Sequence, residues 1–255
     1  MEQKKIGQIR EEYEALSFEE LKEWCGKYQE DSRSGVQALL KKAQRRMESY
    51  QEELCRIEQM KVYERQYAEY EYICGVDEAG RGPLVGPVVA GAVILPKDCT
   101  LLYIDDSKKL SEKKREELYE KIMEQAVAVG VGVADHQVID DINILQATYQ
   151  AMRDAIANLS VQPSLLLNDA VTIPEIAIPQ VPIVHGDAKS ISIGAASIIA
   201  KVTRDRLMQE YDKQYPEYQF AKHKGYGTKL HMEMLQKYGP CPIHRRTFIK
   251  KYVDI

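Results

Sequence analysis

The sequence predicts an α/β protein with a mixed β-sheet, preceded by an N-terminal helical extension. Residues 1–70 show helical periodicity and contain no convincing strand, whereas short apolar runs typical of strands begin at Tyr72. Beyond the first strands the apolar runs alternate with helical segments, which favours a sheet covered by helices. We therefore divide the chain into a helical extension at 1–70 and a sheet-containing domain at 71–255.

The helical extension carries two helix signals. Ser17 and Glu20 have the spacing of a capping box, with the serine as the N-cap. After a break that ends at Gly35, apolar residues recur at steps of three and four from Leu39 to Ile57, as on an amphipathic helix. The start of this helix is basic, and we interpret it as a solvated face rather than a nucleic-acid contact.

The sheet-containing domain begins with three apolar runs, at 72–76, 88–95 and 101–104. They follow one another closely, which suits an antiparallel meander. Ser111 can then cap a helix that runs to about Ala126. The predicted elements that follow are a strand at 127–133, a helix at 142–159, strands at 164–169 and 181–184, and a helix from 191 to 215, which Pro216 ends.

Length and composition narrow the class of protein. The 255 residues are 44% hydrophobic and 29% charged, which suits one large domain or two smaller ones. No apolar run approaches the roughly 18 residues of a membrane span, and the N-terminus lacks the apolar core of a signal peptide. The five cysteines include no C-x-x-C pair, so we expect neither disulfides nor a zinc site. These features predict a cytoplasmic protein without a membrane segment.

Four carboxylates stand where predicted strands or helices begin or end. Asp77 and Glu78 end the first strand, Asp169 ends a later one, and Asp187 directly precedes a helix. If the two strands are neighbours, the acids meet at one edge of the sheet, where their repulsion requires cations. Oxygen ligands suit Mg²⁺ or Mn²⁺, and two such ions about 4 Å apart support in-line phosphoryl displacement. Without that pairing they remain ordinary turn acids.

Two nucleotide-binding motifs are excluded. Gly80 and Gly82 follow a strand, as in a dinucleotide fingerprint, but prolines and a strand-like run stand where that motif opens a helix. The segment 186–190 suggests a P-loop, but Ala188 occupies the position where a P-loop requires glycine.

The last part of the chain is basic, although the net charge of the whole is −4. Between Lys222 and Lys251, eight lysines or arginines and three histidines accompany one acid, Glu233. Such a segment attracts phosphates. Tyr226 lies within it, flanked by glycines. This placement favours a ring that stacks on a base or sugar over a basic segment that only makes the protein more soluble.

These motifs resemble those of the ribonuclease HII family. The resemblance covers about residues 71–251 in unbroken order, and Arg81 favours it over the sister ribonuclease HIII family. It rests on the segments 76–82, 106–111, 186–190, 194–202, 223–228 and 242–245. It implies a ribonuclease H-like fold, in which helices flank a five-stranded mixed sheet.

The resemblance also implies an enzymatic activity. We expect the enzyme to be a monomer. The substrates would be RNA/DNA hybrids and duplex DNA containing single ribonucleotides, nicked 5′ of the ribonucleotide to leave 3′-hydroxyl and 5′-phosphate ends. Such cleavage serves RNA primer removal and ribonucleotide excision repair. The matched acids Asp77, Glu78, Asp169 and Asp187 would hold two divalent ions, Mg²⁺ or Mn²⁺.

Further residues are candidates for substrate contacts. Gly80 and Gly82 let the backbone approach a ribose and its 2′-hydroxyl, and Arg81 can bind the adjacent phosphate. Tyr226 would stack on the following deoxyribose, so that an RNA-to-DNA junction is recognised from both sides. The remaining candidates are Lys108 and Lys189 for phosphates, each equally well a surface lysine, and Asn143, equally well an N-cap.

Two alternatives remain open from the sequence. A non-catalytic hybrid-binding protein is disfavoured because four uncompensated anions facing phosphates would weaken binding. Another nuclease of the same fold acting on DNA alone is disfavoured because DNA offers no 2′-hydroxyl to the glycine turn.

Overall fold

The computed structural model describes residues 4–253, which form two compact units. The first unit extends to Glu58 and the second begins at Gln59. The helices of the first unit are α1 (Ile6–Ala15), α2 (Leu21–Tyr28) and α3 (Ser34–Met60), of which the last residues belong to the second unit. Its core contains the buried side chains Ile9, Leu21, Trp24, Val36 and Leu39.

Helix α2 begins later than the capping box predicts. Glu20, not Ser17, occupies the N-cap position, and residues 18–20 form a turn. One of the two hydrogen bonds of a capping box is present, because the Ser17 N–H donates to the Glu20 carboxylate at 2.8 Å. Helix α3 contains the predicted amphipathic stretch, and its basic residues between Lys41 and Arg46 are exposed.

The second unit is built on a five-stranded mixed sheet. Its strands are β1 (Ile73–Ala79), β2 (Val88–Ile94), β3 (Ala128–Ala134), β4 (Leu165–Asp169) and β5 (Gln180–Ile183). Their order is β3-β2-β1-β4-β5. The β1–β2 and β2–β3 pairs are antiparallel, whereas β1–β4 and β4–β5 are parallel. The predicted mixed α/β sheet is therefore confirmed.

Helices surround this sheet. The helices of the unit are α4 (Val62–Gln66), α5 (Glu112–Gln125), α6 (His136–Ala157), α7 (Ile191–Gln214), α8 (Phe220–His223), α9 (Lys229–Tyr238) and α10 (Arg246–Ile249). As predicted, Ser111 caps α5 by accepting from the Lys114 N–H at 3.2 Å. None of the helices within residues 4–253 combines the length and apolarity that crossing a bilayer requires.

The predicted strand at 101–104 is wrong. Leu101 and Ile104 are buried, but Tyr103 between them adopts φ 67° and is 41% exposed. A left-handed residue interrupts extended backbone, so this run packs into the core as an irregular segment. The third strand of the antiparallel meander is β3 instead.

Helix α6 begins six residues before the predicted start at Ile142. The Asp135 carboxylate caps it by accepting from the Gln137 and Val138 N–H groups, each at 2.9 Å. The helix is interrupted at Asn143, where φ is 69°, and this is the point at which the sequence pattern placed its start.

Small residues let helices approach both faces of the sheet closely. A side chain at Gly75 or Gly91 would collide with the α7 backbone, and a side chain at Gly130 or Gly132 with the α6 backbone. The two pairs face opposite sides, because Gly91 and Gly130 occupy alternate positions across the β2 ladder. The sheet is thus held between α7 on one face and α6 on the other.

We predict that Gly75→Ala destabilises the protein strongly. The added Cβ would lie 2.1 Å from the carbonyl carbon of Ser192, a backbone atom that cannot move aside without displacing α7. The expected loss in the free energy of unfolding is about 3 kcal/mol, at the upper end for overpacking. Urea denaturation followed by circular dichroism measures it.

Gly26→Ala in α2 is the matched control, since a Cβ there meets nothing within 4 Å. That change should leave stability unaltered or raise it by up to about 1 kcal/mol, as expected on an exposed helix. A Gly75→Ala variant as stable as the Gly26→Ala variant would contradict the close packing of α7 on β1.

Candidate active site

Three carboxylates meet at the ends of β1 and β4. Val76 pairs with Asn168 in the parallel ladder, so Asp77 and Asp169 follow side by side. Asp77 lies two residues from Gly75 and therefore shares the face against which α7 packs. Asp187 lies in the short 3₁₀ turn just before α7. The three aspartates each place a carboxylate oxygen within 4.8 Å of the others.

Glu78 lies beside this cluster but is not part of it. Successive side chains of a strand point to opposite faces, so Glu78 cannot share the direction of Asp77 within β1. Its carboxylate instead lies 3.4 Å from the Arg81 guanidinium. Three of the four acids thus lie within 4.8 Å of one another, while Glu78 interacts electrostatically with Asp77 and Asp169 from beside them.

Local contacts fix the segment that carries Asp187. The Gly186 N–H donates to the Asp169 carboxylate at 2.7 Å, which ties the turn to the end of β4. Ser190 caps α7 by accepting from the Ile193 N–H. The Ser190 hydroxyl in turn donates to the Glu64 carboxylate at 2.6 Å, which also accepts from the Ser192 N–H. A carboxylate at this position is stabilised by the helix dipole.

Three acids at this site, Asp77, Asp187 and Glu78, hold their protons more tightly than free carboxyls do. Burial, reinforced by the charges of Glu78 and Asp169, raises the pKa of Asp77 well above its usual value. Burial also raises the pKa of Asp187, with added repulsion from Asp106 and Asp169. The pKa of Glu78 is raised by burial too, although Arg81 opposes the change. Neutralising this cluster at physiological pH therefore requires protons or cations.

The loop that follows residue 104 brings further charges to the cluster. Burial acts to lower the pKa of Lys108, but Asp106, Asp77, Asp187 and Asp169 together raise it above the usual value. The Ser197 hydroxyl of α7 donates to the Ser107 hydroxyl at 2.9 Å and so anchors this loop. Sequence reasoning placed Lys108 near a phosphate but missed Asp106 as a neighbour of Asp187.

The cluster fits a divalent cation by its donor chemistry. Asp77, Asp169 and Asp187 offer only carboxylate oxygens, the ligands that Mg²⁺ and Mn²⁺ prefer over nitrogen or sulfur. Asp77 and Asp187 are buried, so their charges are poorly screened by solvent.

The glycine turn lies directly after the acids of β1. Gly80 adopts φ 97°, a conformation that favours glycine, and a Cβ there would lie 2.1 Å from the Arg204 guanidinium. A Cβ built on Gly82 would lie 3.8 Å from the ring of Tyr226. The structure thus brings together the turn and the exposed tyrosine, which are far apart in sequence.

Two other predicted contacts have local structural roles. The Lys189 ammonium donates to the Val184 carbonyl at 2.8 Å, although its side chain is exposed. The Asn143 side chain accepts from the Leu145 and Gln146 N–H groups at 3.0 and 3.2 Å, which caps the second part of α6. The side-chain oxygen of Asn143 is therefore an N-cap, and a substrate contact through its amide nitrogen stays a prediction.

The basic C-terminal segment is less basic at its surface than the sequence suggests. Arg245 is fully buried, and so are His231 and His244, with His223 nearly so. Burial lowers the pKa of His231 to about 4 and that of His244 to about 3, so neither carries charge at neutral pH. The exposed cations of this segment are lysines such as Lys222 and Lys229.

A mixed five-stranded sheet of this order, with aspartates converging at the ends of its central parallel strands, defines a ribonuclease H-like enzyme that hydrolyses phosphodiesters. More particularly, the chain belongs to the ribonuclease HII family, because the model described as ribonuclease HII matches residues 74–251. The model described as ribonuclease HII N-terminal domain matches residues 5–68. Enzymes of this family depend on divalent metal ions. The resemblance seen in the motifs is confirmed.

Individual relatives agree with this assignment. The chain is 59% identical over 246 residues to the ribonuclease HII of Lachnoclostridium phytofermentans, covering 96% of this chain and 97% of the relative. The ribonuclease H2 of Pyrococcus horikoshii is similar in structure, with a TM-score of 0.58, 29% identity, and coverage of 71% and 96% of the two chains. The ribonuclease HII of Archaeoglobus fulgidus, solved in complex with PCNA, has a TM-score of 0.58 at 26% identity and coverage of 68% and 93%.

We predict that the acid cluster lowers the stability of the metal-free protein at neutral pH. A carboxyl whose pKa is raised by folding stays protonated when the unfolded chain has already ionised. The folded state then binds more protons, so stability falls as the pH rises from about 4 through the raised pKa. In EDTA at pH 7.5, Asp77→Asn should therefore raise Tm by about 2–4 °C, the shift that 1 kcal/mol produces in a chain of this size.

Mn²⁺ should raise the Tm of the unsubstituted protein and have a smaller effect on the Asp77→Asn variant. Glu124→Gln, an exposed acid of α5, is the control and should change neither value. The interpretation fails if Asp77→Asn lowers Tm in EDTA, or if Mn²⁺ stabilises it as much as the unsubstituted protein.

Proposed function

We propose that this enzyme hydrolyses RNA paired with DNA and nicks duplex DNA 5′ of single embedded ribonucleotides. The products are 3′-hydroxyl and 5′-phosphate ends, and the enzyme acts as a monomer in ribonucleotide excision repair and RNA primer removal. The observation that supports this most is the placement of three converging aspartates beside a glycine turn that lies close to an exposed tyrosine.

Asp77, Asp169 and Asp187, together with the neighbouring Glu78, would hold two divalent ions, Mg²⁺ or Mn²⁺. Bound ions of this kind activate a water and stabilise the leaving oxygen of an in-line phosphoryl displacement. The protein's contribution is to fix the carboxylates before substrate arrives, through the β1–β4 register and the hydrogen bond from Gly186 to Asp169. Lys108, exposed beside the cluster, is placed to attract the phosphodiester.

Ribose selection is assigned to the glycine turn. Within the described part of the chain, the N–H groups of Gly80, Arg81 and Gly82 have no hydrogen-bond acceptor. Arg81 and Gly82 are exposed, so their N–H groups are accessible to a ribose hydroxyl, whereas Gly80 is buried beneath them. The Arg81 side chain is 45% exposed and can reach a phosphate with the nitrogens not facing Glu78. Tyr226, 42% exposed, offers its ring to the next sugar.

We predict that Asp77→Asn abolishes cleavage while substrate binding persists. The assay uses a DNA duplex with one ribonucleotide, with and without Mg²⁺ or Mn²⁺. Loss of one carboxylate should reduce turnover at least about a hundredfold, as removal of a transition-state contact does. Binding in EDTA, measured by fluorescence anisotropy, should change less than about twofold because an asparagine retains the shape and lessens repulsion of phosphate.

Glu124→Gln should behave as the unsubstituted enzyme in both measurements. Wild-type turnover by Asp77→Asn would refute the assignment of the metal ligands. Nicking of an all-DNA duplex at a rate similar to that of the ribonucleotide-containing duplex would refute ribose selection and support a nuclease that acts on DNA.

We predict a second, substrate-dependent effect for Tyr226→Ala. Loss of ring stacking removes roughly 1–3 kcal/mol, or about five- to 150-fold in kcat/KM. The loss should be larger on a duplex with an RNA-to-DNA junction than on a uniform RNA/DNA hybrid. Tyr226→Phe should retain activity, and Tyr238→Ala, an exposed tyrosine of the same segment, is the matched control. Equal losses on both substrates would mean that the ring does not recognise the junction.

A further inference from the structure

Two arginines of this protein are completely buried, Arg204 in α7 and Arg245 just before α10. Within residues 4–253, neither forms an ion pair with a carboxylate. Burial lowers the pKa of Arg204 to about 10 and that of Arg245 to about 9, so both remain charged at neutral pH. A buried charge without a carboxylate partner is expensive unless hydrogen bonds satisfy it.

Backbone carbonyls supply those hydrogen bonds, and nearly all belong to one loop. Arg245 donates from Nη2 to the Gly80 carbonyl at 2.6 Å, from Nη1 to Arg81 at 2.9 Å and from Nε to Gly86 at 2.9 Å. Arg204 donates to the carbonyls of Val85 at 3.2 Å and Pro87 at 2.9 Å. Five carbonyls between residues 80 and 87 are therefore turned toward two guanidinium groups. Because the N–H of a trans peptide points opposite to its carbonyl, the N–H groups of Arg81 and Gly82 lie on the outer side.

The sixth hydrogen bond connects this loop to the tyrosine. Arg204 donates from Nη1 to the Lys224 carbonyl at 2.9 Å, two residues before Tyr226. The Leu84 N–H donates to the Gly225 carbonyl at 2.9 Å, which reinforces the same connection. A single guanidinium thus spans the glycine turn's loop and the segment that carries Tyr226.

A pair of buried histidines holds Tyr226 from its other side. His231 contacts the Tyr226 carbonyl through Nδ1 at 2.9 Å, and its Nε2 lies 3.1 Å from Nε2 of His244. His244 Nδ1 accepts from the Cys241 N–H at 3.0 Å, so its proton is on Nε2 and is donated to His231. His231 therefore donates from Nδ1 to the Tyr226 carbonyl. This neutral chain ends at His244, the neighbour of Arg245 in sequence.

We propose that Arg204 and Arg245 are positioning residues that hold the Gly80–Gly82 turn and Tyr226 at a fixed separation, so that recognition of a ribose followed by a deoxyribose depends on them. The inference rests on the proposed function and extends it to two residues that contact no substrate. Arginine suits this role because its planar fork donates in three directions at once, whereas a lysine ammonium is a point charge on a flexible stem. If these side chains served only to fill space, apolar residues of similar volume would stabilise the fold at least as well.

The test compares Arg204→Lys and Arg245→Lys, which keep the charge and lose the fork. Arg206→Lys is the matched control, an exposed arginine of the same helix paired with Glu116 and Glu120. For each variant, kcat/KM is measured on a duplex with one embedded ribonucleotide and on a uniform RNA/DNA hybrid. We expect the ratio of the two values to fall about tenfold or more in both buried-arginine variants, since a displacement near 1 Å is enough. The control ratio should change less than about twofold.

The outcomes separate this inference from the proposed function. An unsubstituted enzyme that does not cleave at the single ribonucleotide would overturn the proposed function and this inference with it. An unsubstituted enzyme that does so, with lysine variants that lose activity equally on both substrates, would show a merely structural role and overturn the inference alone.

A measurement on the unsubstituted protein covers the case in which the lysine variants do not fold. Nitrogen-15 NMR of the arginine side chains at neutral pH should show two guanidinium groups with separate, slowly exchanging Nη signals, because every branch is held by a carbonyl. Only averaged, rapidly exchanging signals would contradict the arrangement on which the inference depends.

Discussion

The parallel pairing of β1 with β4 is the constraint on which the site depends. Its register, with Val76 opposite Asn168, carries Asp77 and Asp169 to the same height on the same face of the sheet. No loop rearrangement could separate these two carboxylates without breaking the ladder. Burial and the neighbouring charges of Glu78 and Asp169 raise the pKa of Asp77, so a cation is favoured at this point. Repulsion between these carboxylates therefore destabilises the metal-free folded state, and a bound divalent ion would reduce that repulsion.

Helix α7 connects this cluster to the glycine turn. Its N-cap is Ser190, directly after the Asp187 turn, Ser197 anchors the loop of Asp106 and Lys108, and Arg204 reaches the carbonyls below the turn. The three positions are seven residues apart, which is nearly two helical turns, so they lie along one side of the helix. One rigid element thus sets the relative position of the acids, the charged loop and the glycine turn. The tight contacts at Gly75 and Gly91 hold that element against the sheet.

The parts of the fold that the sequence predicted are those with strong local signals. Ser111 and Ser190 precede long helical patterns, and the strand at 164–169 is a short apolar run that ends in a carboxylate. The strand predicted at 101–104 was wrong because the composition of this run suits a strand, whereas the left-handed backbone of Tyr103 is set by packing that the sequence does not reveal. Asn143 was ambiguous for a related reason, since a capping residue inside a longer helix looks like a helix start.

The sequence predicted which residues belong to the site better than it predicted how they are arranged. The acids were identified from their places at element ends, but which of them share a face follows from the alternation of β1 and from a pairing visible only in the structure. Arg245 and the histidines were counted in a basic surface segment, because a sequence shows the charge of a residue and not its burial. Their actual role is internal, and it gives the C-terminal segment a part in shaping the turn.

Crystals grown with Mn²⁺ and measured at the manganese absorption edge would show directly whether Asp77, Asp169 and Asp187 hold a divalent ion. We expect anomalous density about 2.0–2.3 Å from the carboxylate oxygens of these three residues, with no protein nitrogen or sulfur among the ligands. Absence of density between these three aspartates at saturating Mn²⁺, or a strong peak at other residues alone, would contradict it.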